Sequence, residues 1–438
     1  MGIEKPRRPS PPPPPPVVET SASLVLGNDD LLREILLRVG LATSLIHGAL
    51  VCRRWCRHAS DPAFLRRFRA RHPPRVLGVY LTLAPGPGSG TPPRPRFVPI
   101  RPIPELAGAA RRAGAFFDAF EGSSGSILDS SGGDLSDPFE GSSGSILDSR
   151  GGRLLVSAFD ERHESTQFVC SPMCPGRDMV VLPPPPPLPP FHLSSDEECI
   201  MYHYGEFLPD VAGQSYFSVV MGNGEQQTTV HLYELHDMSW DLRASAAVQL
   251  PVSPPKSRVK LFDNNNKFYR LSTISKILVC DFLSSSISTM ELPNGVKNEH
   301  NGSIMLSRGD NSGIYLVYVK DSQLSIFHCR TAGDNLGNWF LVDTICLRDV
   351  CANVGMKACP PRLDGQSNGV NICAVGDNAN FIILEMFGAI IFLDILNKQA
   401  EKVYEIKPED KELVSVRPLM TIWPPVFPMR NEGYDQND

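Results

Sequence analysis

Apolar positions fall at helical spacing near the start of the chain and at strand spacing further on. Asp29 precedes Leu31, Leu32, Ile35, Leu36 and Val39, which recur at intervals of three and four, and Gly40 follows. That pattern predicts an amphipathic helix of about three turns capped by Asp29. Thr43 or Ser44 can cap a second helix carrying Leu45, Ile46, Ala49 and Leu50, which either continues or breaks into Val51, Cys52, Trp55 and Cys56. Asp61-Pro62 predicts the start of a third, because the aspartate accepts from free N–H groups and proline at the first helical position has no donor to leave unsatisfied. Phe64, Leu65 and Phe68 form its buried face. Three helices this short cannot bury the whole run of Leu31, Leu32, Ile35, Leu36 and Leu37 among themselves, so a partner surface is expected.

From Gly152 to about Trp423 the chain is a series of short β-rich runs separated by turns. Lys267–Leu271, Ile277–Leu283 and Met290–Pro293 parallel Asn380–Leu384, Ile390–Leu396 and Val403–Ile406. Arg153–Ser157, Gln167–Cys170 and Val180–Pro183 have the same order. With one additional strand per unit, repeats of ~40 to 45 residues are what propeller blades require, and the region has room for about six. A closed ring would also remove the edges that so many short strands present. A second repeat is literal. Phe120–Ser130 recurs unchanged as Phe139–Ser149, and only the second copy runs into an apolar strand, Leu154–Phe159. It reads as a tandem duplication forming a flexible Gly/Ser insert rather than a solenoid, since stacked repeats need at least about three copies.

Composition sharpens the division. Fifteen of the 41 prolines lie in the first sixteen residues and in Pro183–Pro190, so proline marks segments between folded parts. Pro11–Pro16 reads as a solvated polyproline II rod, either a spacer or a ligand for proline-binding domains. The formal net charge of -6 gives the whole chain no bias toward nucleic acid or an acidic membrane surface. Val51–Arg75 nevertheless holds eight arginines and one acid. Phe64 and Phe68 share the buried spacing and leave no aromatic residues interleaved with these arginines, which favours a solvated or acidic-protein-facing surface over nucleic acid. No apolar run is long enough to span a bilayer, and an intracellular protein, cytoplasmic or nuclear, is expected.

Chemistry-bearing patterns are sparse. The eleven cysteines are scattered, mostly in apolar runs, and fit buried thiols better than disulfides. Cys52 with Cys56, and Cys170 with Cys174, lack the two further ligands that tetrahedral zinc needs. The Gly-x-Ser-x-Gly, Gly-x-Gly-x-x-Gly and phosphate-loop motifs are absent, and His163-Glu164 lacks a zinc protease's second histidine. Asp281 and Asp394 occupy equivalent repeat positions, where turn capping is the expected role. Asn301-Gly302-Ser303 matches a glycosylation acceptor but is expected to be a turn. No catalytic, cofactor-binding or metal-binding residue is expected, and no enzymatic activity.

The ordered series Leu26-Gly-Asn-Asp-Asp30-Leu-Leu-Arg-Glu-Ile35-Leu-Leu-Arg, Leu50-Val-Cys-Arg-Arg-Trp55 and Ser60-Asp-Pro-Ala-Phe64 resembles the F-box of the large plant F-box families. Asp148–Leu155, the Leu-Pro-Pro at Leu182 and the closing Ile422–Pro428 resemble the β-propeller-like associated domain of grass F-box proteins. The resemblance implies a multidomain chain: a small all-α three-helix F-box followed by an all-β propeller-like domain. Its expected parts are a disordered proline-rich tail at 1–23, the F-box at 24–72, a linker at 73–118, the flexible duplication at 119–150, the propeller at 151–428 and a disordered tail at 429–438. It further implies the substrate-recognition subunit of a Skp–cullin–F-box ubiquitin ligase. Leu26, Leu31, Leu32, Ile35, Leu36, Val51, Cys52 and Trp55 would dock the Skp-type adaptor, and through it cullin, while the propeller binds a target protein. Neither nucleic acid nor membrane is an expected partner. Candidate target-binding loops are Pro183–Pro190 and the segments near Asn264 and Asn311. The family often has proline where this chain has Gly27 and Gly40, which leaves open an F-box-like scaffold that no longer recruits a ligase.

Overall fold

In the computed structural model, the side chain of Asn28 accepts hydrogen bonds from the backbone N–H groups of Asp30 (2.9 Å) and Leu31 (3.1 Å). The first expected helix is therefore capped one residue before Asp29. The structure describes residues 21–427, apart from 85–94, 102–103, 120–126, 129–133, 136–142, 160–164, 175–178, 185–199, 208–215, 224–226, 250–258, 263–266, 272–274, 299–301, 310–312, 333–334, 357–368, 408–412, 423–424 and 426. The chain divides into two compact units, Met1–Pro74 together with Ile422–Asp438, and Arg75–Thr421.

The first unit is helical: α1 (Ser21–Gly27), α2 (Asp29–Leu37), α3 (Ala42–Ala49), α4 (Arg53–Ala59) and α5 (Pro62–Arg71). Five helices stand where three were expected, for two reasons. The tail expected to be disordered through residue 23 is already helical from Ser21. The second expected helix breaks at Leu50–Cys52, where Cys52 turns extended (φ −163°, ψ 167°). Leu32, Leu36, Leu37, Leu45, Ala49, Ala59, Phe64 and Phe68 form the core. α5 starts as its sequence demands, with Asp61 accepting from the Phe64 N–H at 2.7 Å and Pro62 at the first position.

The second unit is almost entirely antiparallel β-structure. It opens with β1 (Val76–Leu83), β2 (Pro95–Pro99) and α6 (Ala107–Ala119), and a two-residue pairing of β3 (Ile127–Leu128) with β4 (Asp134–Leu135) follows. Five four-stranded sheets come next: β5 (Ser143–Arg150), β6 (Arg153–Phe159), β7 (Ser165–Cys170), β8 (Val180–Val181); β9 (Ile200–Phe207), β10 (Tyr216–Asn223), β11 (Gln227–His236), β12 (Ser239–Gln249); β13 (Lys260–Phe262), β14 (Lys267–Leu271), β15 (Lys276–Asp281), β16 (Ser286–Glu291); β17 (Ile304–Arg308), β18 (Gly313–Lys320), β19 (Gln323–Ala332), β20 (Asn335–Cys346); and, after α7 (Leu347–Asn353), β21 (Val370–Val375), β22 (Phe381–Met386), β23 (Ala389–Asp394), β24 (Gln399–Glu405). Each runs in simple meander order. The last strand, β25 (Leu413–Met420), pairs with β1, giving a three-stranded sheet β2-β1-β25.

Two expected boundaries change. The segment expected to be a linker supplies β1 and β2, whose Val79, Tyr80 and Leu81 are fully or almost fully buried. Gly78 lets these strands approach: a Cβ there would lie 2.4 Å from the Val98 carbonyl oxygen. The insert expected to be flexible through residue 150 becomes strand β5 from Ser143. Gly151 (φ 55°) and Gly152 (φ 81°) supply the positive φ angles of a tight hairpin, and Ile146 pairs with Val156. The first copy of the duplication, outside β3 and β4, lies beyond the described residues, as do Met1–Thr20, the Pro185–Pro190 stretch, the rim positions Asn264 and Asn311, and 428–438.

Neighbouring sheets pack face to face. Leu155 and Val169 meet Leu235 and Tyr216; Val219, Val230 and Leu232 meet Phe268, Leu278 and Cys280. Tyr269, Leu271 and Val279 meet Ile304, Ile314 and Leu316. Val317 and Ile326 meet Ile382, Leu384 and Ile391, and Ile383, Ile390 and Phe392 meet Val79, Leu81 and Val416. β25 in turn reaches β5, where Arg417 Nε donates to the Ile146 carbonyl (3.3 Å) and the Ser149 hydroxyl to that of Pro418. The fold is mostly β, built of several four-stranded sheets as a propeller requires.

Candidate docking face of the helical unit

Two adjacent stripes of α2 separate cleanly. Leu32 (0% exposed) and Leu36 (1%) fill the core, whereas Leu31 (46%) and Ile35 (37%) face outward. The stripes lie one residue apart, so the apolar run is divided between an internal and an external surface. Of the eight expected docking residues, Leu26, Leu31, Ile35, Val51 and Cys52 are exposed. Trp55 is half-buried against the core. Leu32 and Leu36 are corrected to core residues: with Leu45 and Phe68 packed over the same side of α2, neither offers surface to a partner.

The structure adds apolar residues to this face. Leu24 and Val25 are exposed on α1, and Leu50 stands beside Val51 in the turn between α3 and α4. Leu50 was read in the sequence as part of the second helix's apolar set, and Leu24 and Val25 lay at the edge of the tail expected to be disordered. Arg54, on α4, ties these elements together. It donates from Nη1 to the Leu26 carbonyl (2.6 Å), from Nη2 to the Gly27 carbonyl (2.7 Å) and from Nε to Asp29 (2.7 Å). Here the planar guanidinium serves three acceptors at once, which a lysine ammonium on a single stem cannot match in geometry. His58, 4% exposed, has Nε2 3.0 Å from Asp29, and Arg33 Nε donates to its Nδ1 (3.1 Å). The Arg54 and His58 hydrogen bonds hold the Asp29 carboxyl below the usual aspartate range, in that order of importance.

Arg66, Arg67 and Arg69 are exposed on α5, and Phe64 and Phe68 point into the core. The basic segment thus presents charge without accompanying aromatic rings.

In the β unit, the two equivalent aspartates close turns. Asp281 Oδ1 accepts from the Leu283 N–H (3.0 Å) and the Ser284 N–H (3.2 Å), and Asp394 Oδ1 from that of Asn397 (3.0 Å). Each also carries a cation, Lys267 at 3.0 Å and Arg101 at 3.1 Å. Gly302, in the glycosylation-like triplet, has a turn φ of 86°. Cys170, Cys280, Cys329 and Cys351 are buried free thiols. Burial pushes the Cys280 and Cys373 thiols up to about 12, far from the reactive thiolate range. Among the described residues, no helix is long and apolar enough to cross a membrane, and no three His, Cys, Asp or Glu side chains cluster as metal ligands would.

The chain thus holds a helical unit with an exposed apolar face and a β unit of repeated four-stranded sheets. The family model described as F-box protein AT5G49610-like, beta-propeller, matches residues 145–427, more than half of the chain, and the chain belongs to that family. Membership carries a general protein-binding role. No curated protein matches the chain. Among solved structures, it is similar to the fission yeast SREBP–SCAP binding domains (14% identity, TM-score 0.26), covering 58% of this chain and 59% of that one. A Lactobacillus plantarum protein matches at 14% identity and TM-score 0.29, over 61% of this chain and 69% of that one. The Aleuria aurantia lectin AAL, in complex with Fucalpha1-6GlcNAc, matches at 12% identity and TM-score 0.27, over 64% and 80%.

Proposed function

We propose that the chain is the substrate-recognition subunit of a Skp–cullin–F-box ubiquitin ligase. The helical unit is the F-box and docks the Skp-type adaptor through Leu26, Leu31, Ile35, Val51 and Cys52, with Leu24, Val25 and Leu50 extending the face. The observation that carries this reading is the division of α2 into a buried stripe and an exposed apolar stripe, since an apolar face left outside a core is a binding surface. Arg54 answers the missing proline at Gly27. Where proline would pre-set the α1–α2 junction, two hydrogen bonds from one guanidinium hold its carbonyls.

The β unit is a propeller of about six blades, five of four strands and one that joins β25 to β1 and β2. The packing of each sheet on the next supports this reading. Its exposed loops hold the target protein. The chain performs no covalent chemistry and needs no cofactor; it raises the effective concentration of target beside the ubiquitin-loaded machinery. The setting is intracellular, cytoplasmic or nuclear.

Co-purification with a Skp-type adaptor tests the assignment. The native chain should recover adaptor, and Leu31→Asp with Ile35→Asp should not, while both keep the same thermal unfolding temperature. Equal recovery from both, or none from either, leaves the alternative of a scaffold without ligase docking.

A further inference from the structure

Among the described residues, one from far along the chain packs, partly buried, against the helical core. Phe427 packs against the cluster of Leu32, Leu36, Leu45, Phe64 and Phe68, while every other member comes from residues 32–68. Pro425, two residues earlier, is buried. The family match runs through residue 427 as part of the propeller, yet in this chain Ile422 onward belongs to the helical unit and the β unit ends at Thr421. The docking module is therefore discontinuous. Its helices precede the β unit, and a residue packed against their core follows it.

The geometry points to Phe427, with the buried Pro425 before it, as a strap that makes the helical docking face dependent on chain that follows the β unit. Leu31 and Ile35 share α2 with Leu32 and Leu36, so an opening in the core beneath that helix loosens the face above it. A chain read only through α5 carries the helices without Phe427. The strap arrives after β25, the strand that joins the end of the β unit to its beginning at β1. Adaptor docking then reports that the receptor part has been made, because N-terminal segments fold first during synthesis and wait for their later partners. The consequence for docking rests on the adaptor-binding reading above; the strap itself does not.

α5 supplies a built-in reporter. Its exposed Arg66, Arg67, Arg69 and Arg71 are trypsin sites that become cleavable when the helix opens. The full chain, Phe427→Ala and Phe427→Leu are digested with trypsin, with cleavage in α5 and in the β unit followed separately by mass spectrometry. Adaptor recovery is measured on the same three proteins. Phe427→Ala should be cut in α5 about tenfold faster, the factor given by about 1.4 kcal/mol of lost packing in an opening equilibrium, with β-unit cleavage unchanged. Phe427→Leu should return most of the protection, and adaptor recovery should rank the three proteins in the same order. Equal α5 cleavage in the native chain and Phe427→Ala overturns the strap. Faster cleavage with undiminished adaptor recovery overturns its coupling to docking. Recovery of no adaptor by the native chain overturns the docking reading and with it the coupling, and leaves the strap to be decided by the cleavage rates.

Discussion

Arg54 donates from Nη2 to the carbonyl of Gly27 at 2.7 Å, so an arginine on the fourth helix fixes a glycine at the junction of the first two. The bonded carbonyl is that of the last residue of α1, between the exposed Leu26 and Leu31. A glycine there costs chain entropy on folding, and the guanidinium offsets it locally.

Arg54→Lys keeps the charge but not the fork. It should still be attracted to Asp29 while releasing at least one of the two carbonyls, Leu26 or Gly27. The expected result is a helical unit that unfolds a few degrees earlier and an adaptor recovery reduced severalfold, with the β-unit transition unmoved. An unchanged melting profile for Arg54→Lys would mean that the junction does not need the fork.

Acid should loosen the same unit. The Asp29 carboxyl is held low chiefly by Arg54, and that of Asp61 chiefly by the Phe64 N–H it caps. Both folded-state values lie below the ordinary 3.8, so the stabilisation is fully present above that pH and is lost as pH falls through the lowered values. Denaturant midpoints followed by circular dichroism should therefore drop for the helical transition below about pH 4. Asp29→Asn with Asp61→Asn should flatten that drop, because neither replacement titrates over this range and asparagine at position 61 can still accept at the α5 cap.

Leu32 and Leu31, neighbours in sequence, should respond oppositely. Leu32→Ala removes a fully buried side chain and should cost about 2 to 5 kcal/mol of helical-unit stability. Leu31→Ala should change stability by no more than about 0.5 kcal/mol and reduce adaptor recovery instead. Calorimetry and adaptor titration on the two variants separate the effects.

That contrast also marks how far the sequence could be read. The spacing located α2 and named its apolar residues, but two stripes one residue apart look alike until a core is packed against one of them. Asp61-Pro62 was legible because cap and proline agree. Asn28 was not, because three residues able to cap stand in a row before Leu31. In the β unit, the parallel between Ile277–Asp281 and Ile390–Asp394 located β15 and β23 and the roles of Asp281 and Asp394. β1 escaped notice for a different reason: its partner β25 lies at the opposite end of the unit, and no local pattern records such a pairing. Phe427 was hidden in the same way.

Arg101 holds the seam between the three-stranded sheet and the sheet of β21–β24. It reaches Asp394 (3.1 Å), Glu401 (3.2 Å) and Gln399 (3.0 Å), with its guanidinium 5.7 Å from the centre of the Phe392 ring. Because the side chain is partly exposed, Arg101→Ala should lower β-unit stability by only about 1 kcal/mol. The loss should shrink in high salt, where the ion pairs of the native protein are already weakened. Chemical denaturation with urea at two ionic strengths measures both effects.

The hairpin of β5 and β6 has a consequence for how the chain tolerates change. Residues 124–130 are identical to 143–149, so β6 has two chemically equal partners and uses the nearer one. Removing residues 131–149 joins Ser130 to Arg150 and re-creates the same strand, the same Gly151-Gly152 turn and the same pairing, so the shortened protein should melt with the native one. Damage confined to the second copy, such as Ile146→Asp, can be met by the first copy moving into place, at about 2 kcal/mol for closing the longer loop. The protein carries a spare part for one strand of its β unit, and substitutions that would break a single-copy strand can be absorbed there.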